Sequence, residues 1–172
     1  MLRPLLKAFT RAFGRRYEYD VSYLLELTEN DPTAATKLMF AMPLFSHRGD
    51  LPPDVWHTAH IIGARAADCG PCLELAVRMS EEDGMSANLI DDILFGRPED
   101  PDLALIADYA AAVTSNTPDV ADYVIRIRTR FGQDGLGVLA LAILAGEFYP
   151  LLKRGLGHAT ACSLYLQRRK AA

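Results

Sequence analysis

Apolar residues recur along most of this chain at three- and four-residue intervals, the period of a helix lying against a core. Leu2, Leu5, Leu6, Phe9 and Phe13 form one such stripe, with cations mostly off it. Asp20 precedes a short helix over 21–27, and Asp31-Pro32 opens another that runs to about Met42. An aspartate before a proline suits a helix start, because the carboxylate accepts from an unpaired amide and proline needs no donor there. Residues 45–53 (FSHRGDLPP) read as a loop. Pro53 begins a helix to about Asp68, rich in the small residues Ala59, Ala64, Ala66 and Ala67, which permit close helix packing.

Gly70-Pro71 interrupts that pattern, and a further helix is expected from Pro71 to Asp83, ending at Gly84. Ser86 caps a helix over 87–95, and Pro101-Asp102 opens one to about Thr114. Three more follow: 119–131, ending before Gly132; 135–152, the most apolar; and 157–168. The sequence YVIRIR at 123–128 alternates like a strand but fits the helical period of its surroundings equally well. The pattern predicts an all-α fold with short connections, and no internal repeat breaks it.

With 172 residues and half of them apolar, the chain can form one domain around a real core. The net charge is −4, which gives no reason to expect nucleic acid as a partner. Residues 1–16 hold Arg3, Lys7, Arg11, Arg15 and Arg16 and no acid, so this arm is +5 and the remainder −9. The charge split divides the chain into a basic amphipathic arm (1–18) and an acidic helical domain (19–172). Packing of the arm on its own or a neighbouring subunit is favoured over contact with a membrane surface. One short helix binds a bilayer only marginally without a second anchor.

Three cysteines are too few, and odd in number, for a secreted disulfide framework. A reducing, cytoplasmic setting fits better. Two of the three stand in Cys69-Gly70-Pro71-Cys72. With Pro71 in the first helical turn, both sulfurs lie near unpaired amides and the positive end of a helix dipole, which favours thiolate. His57 and His60 lie three apart on the preceding helix and share a face, where an imidazole can move protons. Disulfide exchange, peroxide reduction and metal binding remain open on these residues alone. His57, His60, Cys69 and Cys72 would make a zinc set by residue type, although the order of the pairs is the reverse of the usual one. The same four letters occur in thioredoxin active sites, but no strand–helix alternation accompanies them here.

The stretch HTAHIIGARAADCGPCLELAVRMSEEDGMSANLIDDIL, followed by ALIADYAAAVTSN, resembles the AhpD-like alkylhydroperoxidase and carboxymuconolactone decarboxylase superfamily, best over residues 54–115. The resemblance implies an all-helical fold, homo-oligomers and, in the redox members, a cysteine pair that reduces a peroxide or a small disulfide and is reset by an external dithiol. It places Cys72 as the attacking thiolate and Cys69 as the resolving one. No cofactor is implied; zinc belongs only to the alternative of a non-catalytic module with a structural site. A decarboxylase-like lyase is the other branch. The peroxidase members carry a glutamate where this chain has His57 and a histidine where it has Ala76. His57 is therefore expected to act as the proton-transfer group, with His60 assisting.

Of the remaining candidates, His47 reads as solvated in its loop and His158 carries no signal. Cys162 reads as a core residue of the last helix.

Overall fold

In the computed structural model, the described residues are 2–158, 166, 167, 169 and 170. They form eight helices and no strand: α1 (Leu2–Tyr17), α2 (Ser22–Asn30), α3 (Pro32–Phe45), α4 (Pro53–Ala66), α5 (Gly70–Glu82), α6 (Ala87–Phe95), α7 (Pro101–Ser115) and α8 (Val120–Gly155). The fold is all-α, as the hydrophobic period predicts. The expected final helix at 157–168 falls mostly, and Cys162 entirely, outside the described residues.

Local signals set the boundaries. Asp31 accepts from the Ala34 amide, Ser86 from Leu89, and Asp100 from Asp102 and Leu103. α8 is two helices that meet at a kink at Gly132, as expected, since Gly132 has the non-helical values φ 75° and ψ 178°. That conformation is open to glycine and strained for other residues.

α4 lies at the centre and packs on α8, α7, α5 and α6. Ile61, Leu73, Ile90, Ile106, Ile127, Leu139 and Ile143 fill the core between these helices. α4 and α8 cross at two glycines. A Cβ on Gly63 would strike the Ile143 carbonyl, and one on Gly146 would strike the His60 carbonyl and the Ala64 amide. Only hydrogen fits there. α8 includes a window apolar enough to cross a membrane by length and composition, and half of that window is buried within the fold.

α1–α3 form a second layer over one end of α4, α5 and α8. A smaller cluster of Tyr19, Val21, Tyr23, Cys69 and Cys72 joins the two layers, with Phe13, Leu75 and Tyr149 packed against it. The arm is docked by polar contacts as well: Tyr17 Oη donates to Glu82 (2.6 Å), Arg16 pairs with Glu82, and Arg78 donates to the Tyr17 carbonyl (2.7 Å) and Glu18 (2.9 Å). Leu6 is buried beneath it, while Leu2, Leu5 and Phe9 are half-exposed or more.

Candidate functional site

α4 ends at Ala66, and Asp68 takes a left-handed conformation (φ 50°) that turns the chain sharply. Cys69 follows in extended backbone as the N-cap of α5, Gly70-Pro71 begin the helix, and Cys72 occupies its first turn. The two sulfurs are 2.7 Å apart. Cys69 is fully buried, while Cys72 is 6% exposed and lines a cavity of about 150 Å³.

The other walls of the cavity come from both layers: Leu6, Phe9 and Phe13 of α1, Leu38 and Met39 of α3, and Leu75 and Met79 of α5. Its polar lining includes Tyr19, Tyr23, His60 and Cys72. A site that is mostly apolar with a few convergent polar groups is the usual form of a small-molecule pocket.

A tight turn brings Tyr19 to the sulfurs. α1 ends with Glu18 in the left-handed region (φ 49°), and the Tyr19 amide bonds back to the Gly14 carbonyl at 2.9 Å. This six-to-one closure is a Schellman turn. Gly14, the acceptor of that bond, leaves little room for a side chain: a Cβ there would lie 2.9 Å from a Val21 methyl and 3.0 Å from the Tyr19 carbonyl. The Tyr19 hydroxyl stands 3.3 Å from Cys72 Sγ and 3.2 Å from the Tyr23 hydroxyl. Behind both rings lies Lys153 of α8, 1% exposed, with Nζ 5.0 Å from the Tyr19 ring centre and 5.5 Å from that of Tyr23. Its nearest carboxylate is that of Asp20, at 3.6 Å.

These neighbours determine the acidity of the pair. The hydrogen bond from Cys72 is the largest influence on Cys69 and lowers it to about 6; burial opposes this, and the Cys72 amide, Lys153 and Arg154 assist. Cys72 is raised because it shares its proton with Cys69 and is itself buried. The pair therefore titrates as a unit. The contact favours a thiolate on Cys69 beside a thiol on Cys72. Burial also raises Tyr19 and Tyr23 well above the ordinary phenol value, so both are protonated.

The two histidines part company. His60 lines the cavity, and burial lowers it to about 3, so it is neutral; its Nδ1 is buried without a partner among the described residues. His57 faces elsewhere: its Nε2 lies 2.8 Å from Asp83 Oδ2, and Arg48 joins the same carboxylate at 2.5 Å. Asp83 caps the far end of α5, eleven residues beyond Cys72, or roughly 16 Å along a helix rising about 1.5 Å per residue. The expected proton-transfer role of His57 at the sulfurs is corrected accordingly. The four residues of the zinc set do not converge, and among the described residues no three His, Cys, Asp or Glu side chains are placed to hold a metal. Ala76 lines the cavity as a methyl group.

Three site residues carried no sequence motif: Tyr19, Tyr23 and Lys153. The only local hint was a single lysine among Tyr149, Pro150, Leu151, Leu152 and Leu156. No family model, curated protein or solved structure matches this chain.

Proposed function

We propose that this protein is a thiol-dependent hydroperoxidase or disulfide reductase of the AhpD-like kind, working through Cys69 and Cys72. The observation that carries the reading is a pair of sulfurs 2.7 Å apart, with Cys72 on an apolar cavity and Cys69 buried directly behind it. In the peroxide reaction, the proton passes from Cys72 to Cys69 across their 2.7 Å contact, and Cys72 attacks as thiolate. The S–O bond forms as the O–O bond breaks, giving a Cys72 sulfenic acid and an alkoxide. The Cys69 thiol then displaces hydroxyl from that sulfenic acid, forming the disulfide and releasing water. An external dithiol reduces the disulfide by exchange and is itself oxidised. Cys72 is favoured as attacker because it meets the cavity, and Cys69 as resolving thiol because it does not.

Consumption of cumene hydroperoxide in the presence of dithiothreitol tests the reading. Cys72→Ser should abolish it. Cys69→Ser should leave a sulfenic acid on Cys72 that dimedone traps. Full turnover by Cys72→Ser would sink the proposal.

A further inference from the structure

Lys153 is an expensive residue to keep where it is. Removing an ammonium from water costs several kcal/mol unless its surroundings compensate. Here they offer two aromatic faces and one carboxylate at 3.6 Å. A methionine would fill similar space without a charge. The charge lies over the rings of Tyr23 and Tyr19, whose hydroxyls form a pair that ends on Cys72 Sγ. The scheme above leaves one product unsatisfied: the alkoxide expelled from the peroxide needs a proton inside a largely apolar cavity. Of the histidines, His57 is turned to Asp83, and His60 is a neutral imidazole.

We infer that Tyr19 is the acid that protonates the alkoxide expelled from the peroxide as Cys72 attacks it, and that Lys153 is a positioning residue whose ammonium holds the resulting tyrosinate. The inference rests on the hydroperoxidase reading. Its atoms balance. Once the shared proton has passed to Cys69, Cys72 is thiolate, Cys69 thiol and Tyr19 phenol. Afterwards, Cys72 is sulfenic acid, the alcohol has left with the Tyr19 proton, and Tyr19 carries the single negative charge. Disulfide formation releases water without changing that charge. When the external dithiol restores two thiols, Tyr19 recovers its proton from Cys72 across the 3.3 Å contact, which regenerates the thiolate.

The phenol is suited to this step because burial keeps it protonated until a strong base appears beside it. An alkoxide is such a base. The charged and titratable groups facing the site are Tyr19 and Asp20 from the α1–α2 turn, Tyr23 from α2, His60 from α4, and Tyr149, Lys153 and Arg154 from α8. Lys153 and Arg154 alone among them carry positive charge.

The leaving group provides the test. Cumene hydroperoxide expels an alkoxide that needs a proton, whereas peracetic acid expels acetate, which does not. In the full-length protein, Tyr19→Phe should slow turnover of cumene hydroperoxide roughly 100-fold, the lower range for loss of a general acid, and leave peracetic acid within about threefold. Equal loss on both, or none on either, overturns the assignment. Replacing Tyr19 by 3-fluorotyrosine keeps the ring and hydroxyl. It should alter the alkoxide-forming reaction only, and a variant indifferent on both peroxides also overturns it. For Lys153→Met, the pH midpoint of iodoacetamide alkylation should rise by about one unit, as expected for losing a nearby opposite charge. An unmoved midpoint removes Lys153 from the scheme. A wild-type protein that consumes neither peroxide sinks the hydroperoxidase reading and this inference together. An active wild type matched by Tyr19→Phe on both substrates sinks the inference alone.

Discussion

His57 Nε2 and Asp83 Oδ2 lie 2.8 Å apart, joining the start of α4 to the end of α5. Desolvation lowers the His57 pKa, and its bond to Asp83 only partly restores it; the same bond keeps the Asp83 carboxyl below its usual range. The dyad is thus a neutral imidazole bonded to a carboxylate, far from the sulfurs. His57→Gln should leave the rate and pH midpoint of thiol alkylation within about twofold of wild type, while costing about 1–3 kcal/mol of stability for a buried polar group disturbed. Denaturant unfolding and alkylation kinetics check the two halves separately. A large fall in thiol reactivity would restore His57 to the site.

Acid should unfold this protein through its histidines. His57 and His60 both have folded values below 6.5, His60 at about 3. In the unfolded chain they take up protons as pH falls through 6.5, whereas the folded protein does not. Stability is therefore full above 6.5 and declines as pH drops toward the folded values. His60→Leu should flatten that decline in thermal melts between pH 6.5 and 4.

The cysteine pair has the same slope at higher pH. Cys69 is about 6 when folded against an ordinary 9.0. Between those values the unfolded chain holds the extra proton, so the reduced protein should gain stability as pH rises from 6 to 9 and lose that gain as pH returns to 6. Cys69→Ser should remove this slope. Alkylation by iodoacetamide should show a midpoint near 6 in the wild type, and a midpoint near 9 would contradict the shared proton.

The crossing of α4 and α8 allows no side chain at Gly63 or Gly146. Gly146→Ala should cost about 1–3 kcal/mol, the range for overpacking a filled core. Gly137→Ala is the internal control: nothing lies within 4 Å of its Cβ, and it sits in a helix. That change should stabilise by about 0.5–1 kcal/mol. Chemical denaturation of the two variants should therefore shift in opposite directions.

Most helices were legible because their ends are written locally. Asp31-Pro32 and Ser86 each carry their own cap, and the structure uses both; Pro101 marks its helix start too, although the cap there is Asp100, which was not legible as one. The kink at Gly132 was legible as the break between two helices. The cysteines were legible because their geometry follows from four adjacent residues. His57 and His60 illustrate where such reading stops. A shared helix face says nothing about what each ring meets one turn apart, and here one meets Asp83 while the other meets the cavity. Tyr19, Tyr23 and Lys153 were hidden for the same reason: more than a hundred residues separate the tyrosines from the lysine, and only the folding of α8 across the N-terminal layer brings them together.

The turn at Glu18 bears on how the basic arm is understood. By charge, residues 1–18 look like an appendage to an acidic body. Yet the Tyr19 amide is tied to Gly14, and Leu6, Phe9 and Phe13 form one side of the chamber over Cys72. The arm is therefore part of the vessel. Trimming it to tidy the protein would open the cavity to water and cut the tether that sets the Tyr19 phenol beside Cys72, so a shortened chain would keep both cysteines and lose their surroundings.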